Sequence, residues 1–189
     1  MIISLTGFMG CGKSSVGREL SQLLCCPFMD LDQVIEEREG RSIPDIFSRD
    51  GEPEFRRIEL EALKHIVGER PSLVLALGGG AVMTAECAEI VHSDTICIYL
   101  RASVNTLMEH LSGKTDNRPL LSQKHSLNET STRHCEESEG RRGNLELETR
   151  IKELMALRSA TYENTAHIII DTDGKSIEAI ASEIISRLG

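Results

Sequence analysis

Tryptophan is absent from this chain of 189 residues, and four Phe and two Tyr leave aromatics at 3%. A core therefore has to be built from aliphatic side chains. Hydrophobic residues at 40% suffice for that, in a length that suits one domain. Excess positive charge is also lacking: 21 Lys and Arg stand against 30 Asp and Glu, a net charge of −9. Such a chain is a poor candidate for sequence-independent binding of nucleic acid or anionic membrane. Neither partner is expected, and an anionic ligand has to be met by a local group of cations. No stretch approaches the roughly 20 apolar residues of a membrane span. The apolar run that begins at Ile2 meets Gly7 with no basic segment before it, so it does not read as a signal peptide. The expected compartment is the cytoplasm, and the expected state a monomer. The six cysteines (Cys11, Cys25, Cys26, Cys87, Cys97 and Cys135) form no CxxC pair and show no zinc-like spacing to histidine. Most of them read as small apolar core residues. Internal repeats are missing too.

What is present is an alternation of short apolar runs with helical patterns. Runs at 2–6, 27–31, 73–77, 95–100 and 167–170 read as strands. Val16, Leu20, Leu23 and Leu24 recur at helical spacing after the first. Ser42, followed by Pro44 and Asp45, marks a helix start. Phe55, Ile58, Ala62, Leu63 and Ile66 stripe one helix face. A further helix is predicted from about Ser103, and Ile177, Ile180, Ala181, Ile184 and Leu188 stripe a closing one. This rhythm predicts an α/β fold, a parallel sheet covered by helices on both faces. Ligands then sit at the carboxyl ends of the strands. The segment 122–144 breaks the rhythm. It is rich in Ser, Thr, Glu and Arg and nearly free of apolar residues. It reads as a mobile loop inside a single domain spanning 1–189, because it cannot bury enough surface to offset its ordering entropy.

The sharpest motif is Gly7-Phe8-Met9-Gly10-Cys11-Gly12-Lys13-Ser14, which matches G-x-x-x-x-G-K-[ST] between an apolar strand and an amphipathic helix. The glycines let successive N–H groups face a phosphate, and the helix start adds its positive dipole end. Gly10, Cys11, Gly12, Lys13, Ser14 and Ser15 form the expected ATP-phosphate cradle. Lys13 reaches the β- and γ-phosphates and the Ser14 hydroxyl ligates Mg²⁺ directly. By itself the loop says only nucleotide binding. Asp30 and Asp32 end the second predicted strand. Carboxylates at i and i+2 can divide labour between a metal's water shell and a hydroxyl proton. Equally, the pair can be a helix N-cap followed by a solvated acid.

At this point the sequence resembles the shikimate kinase family. The phosphate loop carries the likeness, with Asp30-Leu31-Asp32, Ile46-Phe47, and Gly51-Glu52-Pro53-Glu54-Phe55-Arg56-Arg57-Ile58-Glu59. Leu77-Gly78-Gly79-Gly80-Ala81, Arg118-Pro119-Leu120-Leu121, and Arg158 followed by Tyr162 continue it. It runs in order along the chain, the segment 122–144 excepted. The resemblance implies a five-stranded parallel sheet of order 2-3-1-4-5 and transfer of the ATP γ-phosphoryl group to the 3-hydroxyl of shikimate. It implies Asp32 as substrate ligand and proton acceptor, and Asp30 as a Mg²⁺ group acting through water. Arg56 and Arg158 become clamps on the substrate carboxylate, with the Gly78-Gly79-Gly80 backbone against the ring. Arg118, in a lid at about 112–121, closes on the transferring phosphoryl group and on ATP.

Elementary chemistry agrees with several of these roles. A carboxylate calls for the forked donors of Arg, and glycines without side chains admit a ring close to the backbone. Arg57, adjacent to Arg56, cannot share its helix face and reads as an exterior ion-pair residue. Glu59 is placed either to orient Arg56 or as a plain surface i,i+3 pair. Phe47 and Phe55 either wall the pocket or pack in the core.

Three departures from the family pattern stand out. The polar insert at about 122–144 lengthens the connection after Arg118, at little cost in closure entropy. His110, Leu111 and Ser112 stand where members often place an Arg against adenine. The loop at 171–174 lacks a proline found in some members. Two other functions compete: another small-molecule kinase with the same phosphate loop, of the gluconate or nucleoside-monophosphate type, and a catalytically silent nucleotide-binding module. The Arg56, Arg158 and triple-glycine set speaks against the first, and the intact Lys13, Ser14, Asp30, Asp32 and Arg118 set against the second.

Overall fold

Every apolar run becomes a strand of one parallel sheet in the computed structural model of the chain, which describes residues 1–69, 72–111 and 136–189, the side chains of 136–144 excepted. In chain order the elements are β1 (Ile2–Thr6), α1 (Lys13–Leu23), β2 (Phe28–Asp30), α2 (Leu31–Glu39) and α3 (Ile43–Glu69). Then come β3 (Leu73–Ala76), a 3₁₀ turn (Ala81–Met83), α4 (Ala85–Asp94), β4 (Ile96–Arg101) and α5 (Val104–Leu111). The chain closes with α6 (Glu136–Thr165), β5 (Ile168–Asp171) and α7 (Ile177–Leu188). The strand order is β2-β3-β1-β4-β5, all neighbours parallel, as the resemblance implied.

The sheet is covered on both faces, which is why its strands are continuous apolar runs and do not alternate. All five residues of β1 and all four of β3 are buried. On one face Ile3, Leu5 and Val74 pack with Val16 and Leu20 of α1 and Ile180 and Ile184 of α7. On the other, Leu73, Leu75 and Cys97 pack with Leu31 and Ile35 of α2, Ile58 and Leu63 of α3, and Val91 of α4. Each fully buried Leu or Ile contributes about 1.5–3 kcal/mol, so the aliphatic core needs no tryptophan. Cys11, Cys87 and Cys97 are buried, whereas Cys25 is exposed and Cys26 half-buried; Cys135 lies outside the described residues.

The predicted stripe on α3 is buried throughout. Its helix starts where Ser42 predicts: Ser42 Oγ accepts from the Asp45 N–H at 3.3 Å and donates to the Asp45 carboxylate at 2.8 Å. The helix breaks at Gly51 (φ 81°, ψ 171°), and Pro53 sits in the first turn of the second half, where it needs no hydrogen-bonded N–H. On α7, Ile180, Ala181 and Ile184 are buried as expected, but Ile177 is 40% exposed.

The reading of 122–144 as a loop is corrected at its end, since residues 136–144 are the first turns of α6. Glu and Arg are good helix formers, and acids precede bases there, as the helix dipole favours. Extending a helix already held by buried Ile151 and Leu154 avoids the nucleation cost. The remainder of that insert and the lid at 112–121, Arg118 included, lie outside the described residues. No helix among the described residues is long and apolar enough to cross a membrane.

Two glycines of helix interiors separate packing from propensity. A Cβ on Gly17 would come within 2.5 Å of Phe28 Cε2 and 3.2 Å of Leu5 Cδ1, whereas one on Gly68 meets nothing within 4 Å. Alanine gains about 0.5–1 kcal/mol over glycine in a helix, but overpacking costs about 1–3 kcal/mol. In urea unfolding, Gly17→Ala is expected to lose about 1–2 kcal/mol, and Gly68→Ala to gain about 0.5 kcal/mol.

Candidate active site

The carboxyl ends of β1, β2 and β3 meet in one cleft of about 1290 Å³. At β1 the chain leaves the sheet through the glycine-rich loop. Gly10 and Gly12 hold φ of 85° and 95°, which side-chain-bearing residues rarely adopt. Gly12 is the N-cap of α1 and supplies no side-chain cap. The first N–H groups of α1, from Lys13, Ser14 and Ser15, are therefore left to an anion. Lys13 Nζ folds back over the loop, donating to the carbonyls of Gly7 at 2.9 Å and Phe8 at 3.0 Å. The exposed His110, on the last turn of α5, donates from Nδ1 to the Gly10 carbonyl at 2.8 Å. It ties α5 to the loop.

At β2 the two carboxylates separate. Asp30 uses both its oxygens: Oδ1 accepts the Asp32 N–H at 3.2 Å, capping α2, and Oδ2 accepts the Ser14 hydroxyl at 2.6 Å. The N-cap reading of Asp30 therefore holds, and its second oxygen stays directed at the glycine-rich loop. A hydroxyl and a carboxylate, both hard oxygen donors, converge beside the phosphate cradle. That set fits Mg²⁺, which completes its shell with waters and substrate phosphates. Among the described residues, no group of three or more His, Cys, Asp or Glu could hold a metal unaided.

Asp32 is not a solvated acid. Burial pushes its carboxyl up to about 6, with the neighbouring Asp30 and then Glu36 adding to the shift and Lys13 and Arg56 opposing it. It faces the triple-glycine turn. A Cβ on Gly78 would lie 2.6 Å from Asp32 Oδ1 and 3.0 Å from Glu59 Oε1, and one on Gly80 would lie 2.6 Å from Arg56 Nη2. The absent side chains make room for the chain's own carboxylates and guanidinium as well as for a ligand.

Arg56 and Glu59 stand one turn apart on the second half of α3 and pair at 2.6 Å. Glu59 is only 1% exposed, so it is no surface pair. Burial raises the Glu59 carboxyl despite the Arg56 guanidinium beside it. For Arg56, burial works against the charge, and Glu59 and Glu52 outweigh it. Arg57 points outward to Glu54 and Glu61, as expected. From α6, the buried Arg158 donates through Nη1 to the Gly79 carbonyl at 3.3 Å. Phe47 and Phe55 pack tilted against each other, with ring centroids 4.7 Å apart, and both line the cleft, so walling and packing coincide.

The cleft is less cationic than an anionic ligand suggested. Lys13, Arg56, Arg158 and Lys175 line it, but so do Asp30, Asp32, Glu36, Glu59 and Glu178. Sequence reasoning missed Glu36 and Lys175. Glu36 is one turn beyond Asp32 on α2, a helix anticipated only through the N-cap alternative for Asp30. Lys175 follows the carboxyl end of β5, and that position was its available signal.

The shikimate kinase family model matches residues 9–189 of the chain. A shikimate kinase of Thermus thermophilus is 39% identical over 186 residues, covering 98% of this chain and 89% of the relative. One from Dictyoglomus turgidum is 37% identical over 98% of this chain and 96% of its own. Among solved structures, a shikimate kinase from Acinetobacter baumannii in complex with shikimate superposes with a TM-score of 0.84. It is 32% identical, covering 99% of this chain and 92% of that one.

The raised Asp32 carboxyl has a consequence for stability. Between about pH 4 and pH 6 the folded chain holds a proton that the unfolded chain has released. Stability therefore falls as pH rises through that window, and the full penalty persists above it. A shift of this size is worth at most about 3 kcal/mol, reduced to about 1–2 kcal/mol by the partial solvent exposure of the carboxylate. Asp32→Asn is expected to unfold at a higher urea concentration than the parent at pH 7.5, and the difference to vanish near pH 4.

Proposed function

The chain belongs to the shikimate kinase family and is an ATP-dependent kinase acting on shikimate, and we propose that it transfers the γ-phosphoryl group to the 3-hydroxyl with the following division of labour. The observation that carries the proposal is the two-ended cleft with Asp32 at its centre. One end is the phosphate loop, where Lys13 and the first N–H groups of α1 receive the β- and γ-phosphates. The other is built by Arg56, Arg158 and the triple-glycine turn, where forked guanidinium donors suit the carboxylate of the acceptor. Gly78, Gly79 and Gly80 then lie against its ring.

The 3-hydroxyl oxygen attacks the γ-phosphorus, the bond to the bridging oxygen breaks, and ADP leaves. Asp32 takes the hydroxyl proton. Its carboxyl at about 6 is ionised near neutral pH yet basic enough for this exchange, which is the condition that general-base chemistry sets. Lys13 neutralises charge on the transferring group, and catalysis is mainly positioning and electrostatics. Mg²⁺, held by Ser14 and through water by Asp30, would supply charge neutralisation between the phosphates. Arg118, outside the described residues, is proposed from the family motif to close on the same group. All these residues belong to one chain, so the monomer is the proposed working unit and the cytoplasm its proposed place.

A coupled ADP-release assay across shikimate, quinate, gluconate and nucleoside monophosphates tests the substrate. Shikimate is expected to drive turnover far above the rest, and equal turnover with gluconate would remove the assignment.

The carboxylates are tested apart. Asp32→Asn keeps the shape and two hydrogen bonds but accepts no proton, so kcat is expected to fall about 100-fold with a smaller change in shikimate affinity. Asp30→Asn is expected to raise the Mg²⁺ concentration giving half activity. Full kcat in Asp32→Asn with only weaker binding would make Asp32 a ligand and not a base.

A further inference from the structure

Tyr162 recurs in the motif after Arg158, yet the proposed chemistry does not use it. It lies on α6 one turn beyond Arg158, 1% exposed, and is not among the residues lining the cleft. Its ring packs tilted against Tyr99 of β4, with centroids 5.2 Å apart. Its hydroxyl donates a short hydrogen bond to the Gly79 carbonyl, the same oxygen that Arg158 Nη1 reaches at 3.3 Å. Burial pushes the phenol up to about 12, so it stays a donor at any working pH.

The Gly79 carbonyl sits in the middle of three glycines, where the backbone has more freedom than anywhere else in the cleft. In a trans peptide the carbonyl and the following N–H point in opposite directions. Holding the Gly79 oxygen against α6 therefore sends the Gly80 N–H away from α6. Among the described residues the N–H groups of Gly79 and Gly80 have no backbone or side-chain acceptor. Both residues line the cleft. A flip of the Gly79–Gly80 peptide would replace a donor by an acceptor beside Arg56, which is the wrong polarity for an anionic substrate. Arg158 cannot hold this peptide alone, because its guanidinium is also the proposed partner of the substrate carboxylate.

We infer that Tyr162 is a positioning residue for shikimate, acting through the Gly79 carbonyl to keep the Gly80 N–H presented as a donor when Arg158 turns to the substrate. The inference rests on the reading of the triple-glycine turn as part of the shikimate pocket. Gly79 also approaches the phosphate loop, where a Cβ would lie 3.3 Å from the Met9 nitrogen. The clamp thus bears on the turn where the two ends of the cleft meet.

Tyr162→Phe removes the hydroxyl and leaves the ring packed on Tyr99. Steady-state kinetics are expected to show a shikimate KM raised roughly fivefold to tenfold, the size of one lost hydrogen bond to a buried carbonyl. The ATP KM and kcat should stay within about twofold, below the effect of one such bond. The Gly80 amide resonance of the ligand-free variant should shift in a ¹⁵N–¹H NMR spectrum while the melting temperature holds. An unchanged shikimate KM, parallel losses for ATP and shikimate, an unmoved Gly80 resonance, or a variant unfolded at assay temperature would each overturn the inference. If the parent enzyme itself does not phosphorylate shikimate, the function proposed above fails instead, and the two failures are told apart by that control.

Discussion

The site is organised around a steric constraint: the turn at the end of β3 has to be free of side chains. Asp32 comes from α2, Arg56 and Glu59 from α3, and the glycine-rich loop from β1, and all crowd the same three residues. The places where Cβ atoms would stand at Gly78 and Gly80 are within 3 Å of the Asp32 carboxylate and the Arg56 guanidinium. Only glycine lets these groups converge, and convergence is what makes one cleft of three strand ends. The permissive backbone that results is then tied down from α6 by Arg158 and Tyr162.

Electrostatics follows from that crowding. A chain with net charge −9 places both signs of charge in its cleft and gives most of them a polar partner, more often a backbone group or hydroxyl than an opposite charge. Arg56 is shared between Glu52 and Glu59, and Asp30 is satisfied by Ser14 and the backbone of α2. Breaking a buried pair such as Arg56–Glu59 leaves an uncompensated charge, so the two residues behave as one unit. Asp32 and Glu59 are both left with burial and like charge outweighing their cationic neighbours, and Asp32 makes no ion pair of the kind that Glu59 makes with Arg56. The group left least compensated in the ligand-free fold is the one whose proposed work requires a proton.

The strands and the glycine-rich loop were readable because their signals are local. Buried parallel strands need continuous apolar runs, and a phosphate loop needs glycines and a lysine in one contiguous segment. Helices α4 and α6 were not read, and α2 only as the alternative in which Asp30 caps a helix. α2 begins directly after the last residue of β2 and buries only Leu31 and Ile35 on an otherwise charged stretch, which leaves a weak periodicity. The start of α6 is polar in sequence and is carried by the packing of Ile151 and Leu154 further along. Ile177 was counted in the apolar stripe of the closing helix by its spacing, yet it sits at the helix start beside the cleft.

The sequence by itself determined the alternation that makes a parallel sheet and the glycine-rich loop that follows its first strand, because each is written in contiguous residues. Only the tertiary structure decided how those motifs act on one another. That Asp30 caps a helix while meeting Ser14, that Asp32 is half-buried and not solvated, and that Glu59 is buried beside Arg56 all depend on contacts between distant segments. Gly79 and Tyr162 are 83 residues apart, and no local pattern encodes which carbonyl a phenol will find. The physical reason is that propensity and periodicity act within a few residues, whereas desolvation and charge pairing act between whichever groups the packing brings together.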